Sequence, residues 1–347
     1  MHLKKPLIIA LIISIISLTA WELYWRTKPD YYKAYLEDSK YLWSEQRAMV
    51  DTATSDDIIL LGASRSGYNL NTHIWKETQG LIPINLSVNG QNPGSFFDDI
   101  VNNTSFNGTI IISVTPVAWF WPKSSWHKGK QWINHYYNQT YAHKLGHFLS
   151  KPLQRNLVML TKTASYNDLD LKSLINQIEL EERVSTNIAG GIKLISFGYN
   201  DEQRNLYMYP RMTSALHFQK EITNEWDRIL INVPDYEDIK DSIPSTINTY
   251  KNLIDKFKSR GGNIVFIRHK SEKGWDKYAQ KVFPDDKVWN KFIETVKCPS
   301  YHYEDYKFMS KYKLPDWSHM NADDAKTYTN DMVNQLIKDK HIKKTTN

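Results

Sequence analysis

Asp57-Ile-Ile-Leu-Leu61-Gly62-Ala63-Ser64-Arg65-Ser66-Gly67 is the stretch on which the fold turns. Four apolar residues stopped by a glycine read as a short buried strand. The small residues after it turn the chain toward a helix. Ile82-Pro-Ile-Asn-Leu86, Thr109-Ile-Ile-Ile-Ser-Val114 and Gly262-Asn-Ile-Val-Phe-Ile-Arg268 repeat the apolar run, and Tyr301-His-Tyr-Glu304 is a weaker fifth strand. Helical patterns span 246–259, ending at Arg260-Gly261-Gly262, and 321–338, with Asn321 or Ala322 near the N-cap. Strands alternating with helices predict an α/β fold with a mainly parallel sheet covered on both faces. Such sheets carry their sites at the carboxyl ends of the strands.

Ahead of this body, Lys4 and Lys5 precede an uncharged apolar run from Pro6 to Ala20, which Trp21, Leu23, Tyr24 and Trp25 extend past Glu22. A bilayer span needs about 20 residues, and this stretch reaches that length if its aromatic end sits at the interface. A cleaved signal peptide is the rival, but cleavage after Ala20 would place Leu18 where a small residue is wanted. The reading is therefore a signal anchor over 1–26, a polar and aromatic stalk over 27–55, and a main domain over 56–345. A long insertion at about 116–245 interrupts that domain, with a helix-like stretch at 171–183. Lys4 and Lys5 favour an inside amino terminus and a body outside the cytoplasm, although Arg26, Lys28 and Lys33 blunt the asymmetry.

Composition narrows the function classes. Acidic and basic residues are interleaved, the net charge is only +6, and there is no nucleic-acid-binding motif, so nucleic acid is not an expected partner. The single cysteine, Cys298, excludes an internal disulfide framework and a Cys-based zinc site. Twelve Trp and 21 Tyr exceed ordinary packing needs; they are read first as core and surface rings, with stacking on sugars as the functional alternative. His127, His135, His143 and His147 lie in the insertion without an acidic partner among them, and read as solvated or hydrogen-bonded histidines rather than metal ligands. No cofactor or metal is called for.

Two segments carry chemistry. Ser64, at a sharp strand-to-helix turn, can present its hydroxyl above the sheet edge, with the amides opening the helix facing a developing oxyanion. A hydroxyl needs a base, and the base an orienting group. Leu314-Pro315-Asp316-Trp317-Ser318-His319 offers both: Asp316 can accept the imidazole Nδ1 proton and leave Nε2 of His319 facing the serine. Arg65, beside the nucleophile, and Arg268, ending a strand at the same edge, are candidate substrate contacts, with salt bridges as the structural alternative. His269 ranks lower, since strand alternation aims it elsewhere.

Gly62-Ala63-Ser64, Asn85-Leu86-Ser87-Val88-Asn89-Gly90 and Asp316-Trp317-Ser318-His319 resemble the ordered blocks of the SGNH/GDSL hydrolase superfamily, in its divergent membrane-anchored bacterial branch. Members of that branch add or remove acetyl groups on envelope polysaccharides. The likeness covers about 57–120 and 246–338, where 261–268, Phe283-Pro284 and Trp289 also match the branch. It implies a flavodoxin-like three-layer α/β/α fold, a Ser64–His319–Asp316 triad, and an oxyanion hole from the amides of Ser64 and Gly90. It further implies an esterase or O-acyltransferase acting on an acylated envelope glycan, with a membrane acyl-donor protein as a further partner if acyl transfer is the reaction. One block departs: the third strand should end Gly-x-Asn-Asp, but here reads Ser113-Val114-Thr115-Pro116. Losing one oxyanion donor costs about 10²–10³ in rate. Asn89, Asn92 or a side chain of the insertion are the candidate replacements. Two other readings compete. One is a non-catalytic relative serving as a tethered binding or assembly module. The other is a sulfotransferase-like nucleotide binder, suggested by the 62–67 loop but lacking the hydroxyl residue such loops prefer where Tyr68 stands.

Overall fold

The computed structural model describes residues 4–27, 33–161, 196–231 and 233–345. The helical stretch expected at 171–183, and Tyr31 and Tyr32 of the expected stalk, lie outside them. The main sheet has five strands, β1 (Ile58–Gly62), β2 (Ile84–Asn85), β3 (Thr109–Val114), β6 (Asn263–Arg268) and β7 (Ser300–His302). Their order is β2-β1-β3-β6-β7, and every neighbouring pair is parallel. A separate antiparallel hairpin, β4 (Gly198–Asn200) and β5 (Leu206–Met208), falls in the insertion.

Alternation explains why the strands read as unbroken apolar runs. Ile59, Leu61, Ile110, Ile112, Ile264 and Phe266 face one core, while Ile58, Leu60, Ile111, Val265, Ile267 and Tyr301 face another. Both faces are buried, so neither parity can be polar. Helices α2 (Lys40–Val50), α5 (Gly94–Asn103), α10 (Ile243–Ser259) and α12 (Trp289–Val296) send side chains into the first core. Helices α4 (Thr72–Gln79) and α13 (Ala322–Lys338) close the second, through Trp75 and through Tyr328, Met332, Val333 and Leu336. Asn321 caps α13 by accepting from the amides of Asp323 and Asp324.

Two segments outside the sheet pack closely onto the body. The stretch assigned to a stalk contains α2, whose Leu42, Trp43, Arg47 and Val50 are buried. Arg47 is held there by Asp99 at 2.6 Å and Asp51 at 2.8 Å, which anchors the helix to the body. The apparent polarity of this segment comes from residues that find their partners only in the folded domain. The described part of the insertion, in turn, packs onto the rest of the body. Tyr68 shares a third core with Phe197, Leu206 and Met208 of the hairpin region and with Phe218, Ile222 and Trp226 of α9 (Leu216–Leu230).

Helix α1 (Lys4–Arg26) is long and apolar enough to cross a membrane. Most of its side chains are exposed; Glu22 and Trp25 near its end are buried.

Candidate functional site

The main chain leaves β1 through Gly62 and Ala63 and enters α3 (Ser64–Asn69) at Ser64. A side chain at 62 would meet Ser66 Cβ at 2.6 Å and Ser113 Cβ at 2.9 Å, so only glycine lets this turn lie against β3. As the first residue of the helix, Ser64 has an amide with no intrahelical acceptor.

The histidine that faces Ser64 comes from the far end of the chain. In the turn 314–320, Asp316 Oδ1 accepts the amides of Ser318 at 3.1 Å and His319 at 2.8 Å. This leaves Oδ2 directed at His319 Nδ1, 2.5 Å away. His319 Nε2 lies 2.7 Å from Ser64 Oγ, across 255 residues of sequence. With Nδ1–H donating to the carboxylate, Nε2 is the acceptor for the serine hydroxyl. Both partners of the relay beyond the serine are buried, Asp316 completely. Trp317, between them, has φ of 68°, a left-handed conformation that a bulky residue rarely takes. Tyr68 packs on the imidazole with ring centroids 4.5 Å apart. Two bonds tie this turn to α3: Arg65 Nε donates to Ser318 Oγ at 3.1 Å, and Asn69 Oδ1 accepts the Met320 amide at 3.1 Å.

The two arginines read as substrate contacts do not sit alike. Arg65 borders the cavity, yet its side chain is buried and serves the Ser318 turn. Burial, reinforced by the nearby Arg268 charge and opposed by Asp316, pulls its guanidinium down to about 9. Arg268 lies outside the cavity wall, fully buried. It donates to the His269 carbonyl at 3.0 Å, sits 3.5 Å from Asp285, and faces the Tyr303 ring. The strand-end position suggested access, but loops from 285 and 303 close over it. His269 is buried between Ser113 Oγ and Tyr328 Oη, each 2.9 Å away. Burial, with the charges of Arg65 and Arg268, pushes its imidazole down to about 3.

Gly90 lies on the cavity wall with φ of 63° and nothing within 4 Å of a would-be Cβ, so its backbone conformation rather than space favours glycine there. Neither its amide nor that of Ser64 makes a hydrogen bond among the described residues. The loop is fixed by the Val88 amide donating to the Gly62 carbonyl at 3.0 Å. Of the candidate replacement donors, Asn92 is committed elsewhere: its amide donates to the carbonyls of Trp119 and Trp121, and its oxygen accepts from Gly94 and Tyr250. Asn89 borders the cavity, exposed. A residue the sequence reading passed over borders it too. Thr115 precedes the helical turn α6 (Pro116–Trp119) as its N-cap, yet makes no side-chain capping bond. Its hydroxyl is buried without a partner among the described residues. Its place directly after β3, where the resemblance calls for an asparagine, was the available signal.

These groups line an open cavity of about 880 Å³. Ser64, His319, Gly90 and Thr115 share it with aromatic walls that include Trp121, Tyr199, Trp226 and Trp275. Much of that wall comes from the insertion. The segment before α2 contributes Tyr35, Glu37 and Asp38. It is pinned by buried Arg204, which reaches Asp38 and the carbonyls of Asn85 and Ser87. The histidines of the insertion are elsewhere: His135, His143 and His147 gather around the ring of Tyr41, and the side chain of His127 lies outside the described residues. Among the described residues no group of three or more His, Cys, Asp or Glu side chains is arranged to hold a metal ion. A scan against protein-family models finds no match to this chain, and a search of curated proteins finds none either.

Proposed function

We propose that the chain is a membrane-anchored serine esterase or O-acyltransferase of the SGNH type, with the three-layer fold of that superfamily. Its substrate class is an acyl ester, acetyl above all, of a cell-envelope glycan. The observation that carries this reading is the continuous relay from Ser64 Oγ to His319 Nε2 and from His319 Nδ1 to Asp316, at 2.7 and 2.5 Å. Such geometry activates a hydroxyl for attack on an acyl carbon. Ser64 Oγ bonds to the acyl carbon as its proton passes to Nε2. The imidazolium, steadied by Asp316, then protonates the leaving alcohol. Water or an acceptor hydroxyl, deprotonated by the same nitrogen, releases the acyl group and frees Ser64. The amides of Ser64 and Gly90, joined by the Thr115 hydroxyl, are assigned to the oxyanion, so that Thr115 stands in for the missing asparagine.

The aromatic cavity supports a sugar-bearing substrate, since ring faces suit the apolar faces of pyranoses. Helix α1 supports membrane anchoring, with the body on the extracytoplasmic side. The same residues serve hydrolysis and transfer, because the first half-reaction is common to both. The test is labelling by a fluorophosphonate probe together with turnover of an aryl acetate. Wild-type protein should label and turn over, and Ser64→Ala should do neither. A wild-type protein that does not label would overturn the triad assignment and leave the tethered binding module.

A further inference from the structure

Helix α8 (Tyr141–Asn156) is built inside out for a protein surrounded by water. Tyr141, Leu145, Phe148, Leu149 and Leu153 recur at helical spacing along one side and are between 53% and 94% exposed. The opposite side, turned to the body, is polar. Lys151 Nζ reaches Glu45 at 2.8 Å, His147 lies 3.4 Å from the same carboxylate, and Gln154 Oε1 accepts the Glu37 amide at 3.1 Å. No residue of the helix is buried. A helix with that pattern in water would bury the first face and expose the second.

The end of α8 is fastened to the end of α1. Arg26 Nη2 donates to the Asn156 carbonyl at 2.6 Å. Glu22, braced by Arg26 at 2.8 Å, accepts the amides of Val158 and Met159 at 3.0 and 2.9 Å. Trp25 packs against Val158. These residues belong to the aromatic end of α1, the level at which a spanning helix leaves the hydrocarbon. Helix α8 carries Lys144, Lys151 and Arg155 and no acidic residue, and Lys151 and Arg155 pair with Glu45 and Glu202 of the body.

We propose that α8 lies in the membrane interface, its Leu145–Phe148–Leu149–Leu153 face immersed among acyl chains. Continuity with the exit point of α1 and the outward apolar face together select lipid over a protein partner. The helix then fixes the tilt and rotation of the body about its anchor. This rests on α1 crossing the bilayer, which the experiment reads separately.

The experiment uses the full chain with Cys298→Ala and single cysteines, carrying an environment-sensitive fluorophore, placed through 141–156 and at Ile12. Each is reconstituted singly into nanodiscs of equal phosphatidylcholine and phosphatidylglycerol, with thermal unfolding checked against the parent. Doxyl-labelled lipid should quench several-fold more at 145, 148, 149 and 153 than at 147, 150 and 154, giving a helical period, and iodide should reach 145, 148, 149 and 153 poorly. Quenching at Ile12 with iodide access at 148 and 149 would overturn the inference while leaving the anchor intact. Sites at 148 and 149 shielded from both quenchers would point to a protein occupant and overturn it equally. Absence of lipid quenching at Ile12 would remove the anchor and the inference together.

Discussion

Asn69, the last residue of the helix that Ser64 begins, accepts the amide of Met320, the residue after His319, at 3.1 Å. With Arg65, which donates to Ser318, this side chain sets the distance between the helix that carries Ser64 and the turn that carries His319. Replacing it with alanine should slow fluorophosphonate labelling of Ser64 about 10-fold, because small misplacements of reacting groups are costly. Esterase assays should show the loss in kcat with KM unchanged. The Met320 amide, left without a partner in a buried place, should cost about 1–3 kcal/mol in chemical denaturation.

The relay residues act as a unit, so their losses should not add. Ser64→Ala and His319→Ala should each lower kcat for an aryl acetate by roughly 10⁶-fold, and the double variant should be no slower than the worse single one. Additive losses would mean that the two side chains act independently of one another.

Thr115 offers a cleaner separation of catalysis from stability. Its hydroxyl is buried with no partner among the described residues, so Thr115→Val keeps the shape and removes an unpaired polar group. The melting temperature should hold or rise, while kcat should fall by about 10² if the hydroxyl serves the oxyanion. Thr115→Ser should retain most of the activity. A Thr115→Val protein at full rate would remove this donor from the mechanism.

His269 should give the fold a pH dependence. Its folded value, about 3, lies below the ordinary histidine value of 6.5, so the unfolded chain binds the extra proton between the two. The stability this group confers is complete above about pH 6.5 and is lost as pH falls through that window. Between pH 7.5 and 5, urea denaturation should show His269 contributing about 2 kcal/mol of destabilisation, a component that His269→Gln should lack.

The strands were legible in the sequence because both sheet faces are buried, which leaves runs such as Ile110-Ile111-Ile112 unbroken by polar residues. The Asn321 cap was legible because a cap is local chemistry. Arg268 misled, since a strand-end position says nothing about Asp285 and Tyr303, which close over it from elsewhere in the chain. The helix at 40–50 has a local pattern, but its seat on the body depends on Asp99, which meets Arg47 from 52 residues away. Thr115 went unnoticed because the expected donor was an asparagine, and only the cavity wall marks a lone threonine hydroxyl. The outward apolar face of α8 is a local pattern too, but which side of a helix meets the body is decided by Glu45 and Glu37.

Ser64 and His319 stand 255 positions apart in the chain, joined only where parallel strands bring both to one edge of the sheet. A chain synthesised from its amino end therefore carries its serine for most of translation with no base beside it. The imidazole arrives only when the last turn seats against α3 and α13 docks behind it. On the proposed reading, chains cut short before that point hold an ordinary, unreactive serine, so incomplete products would be silent.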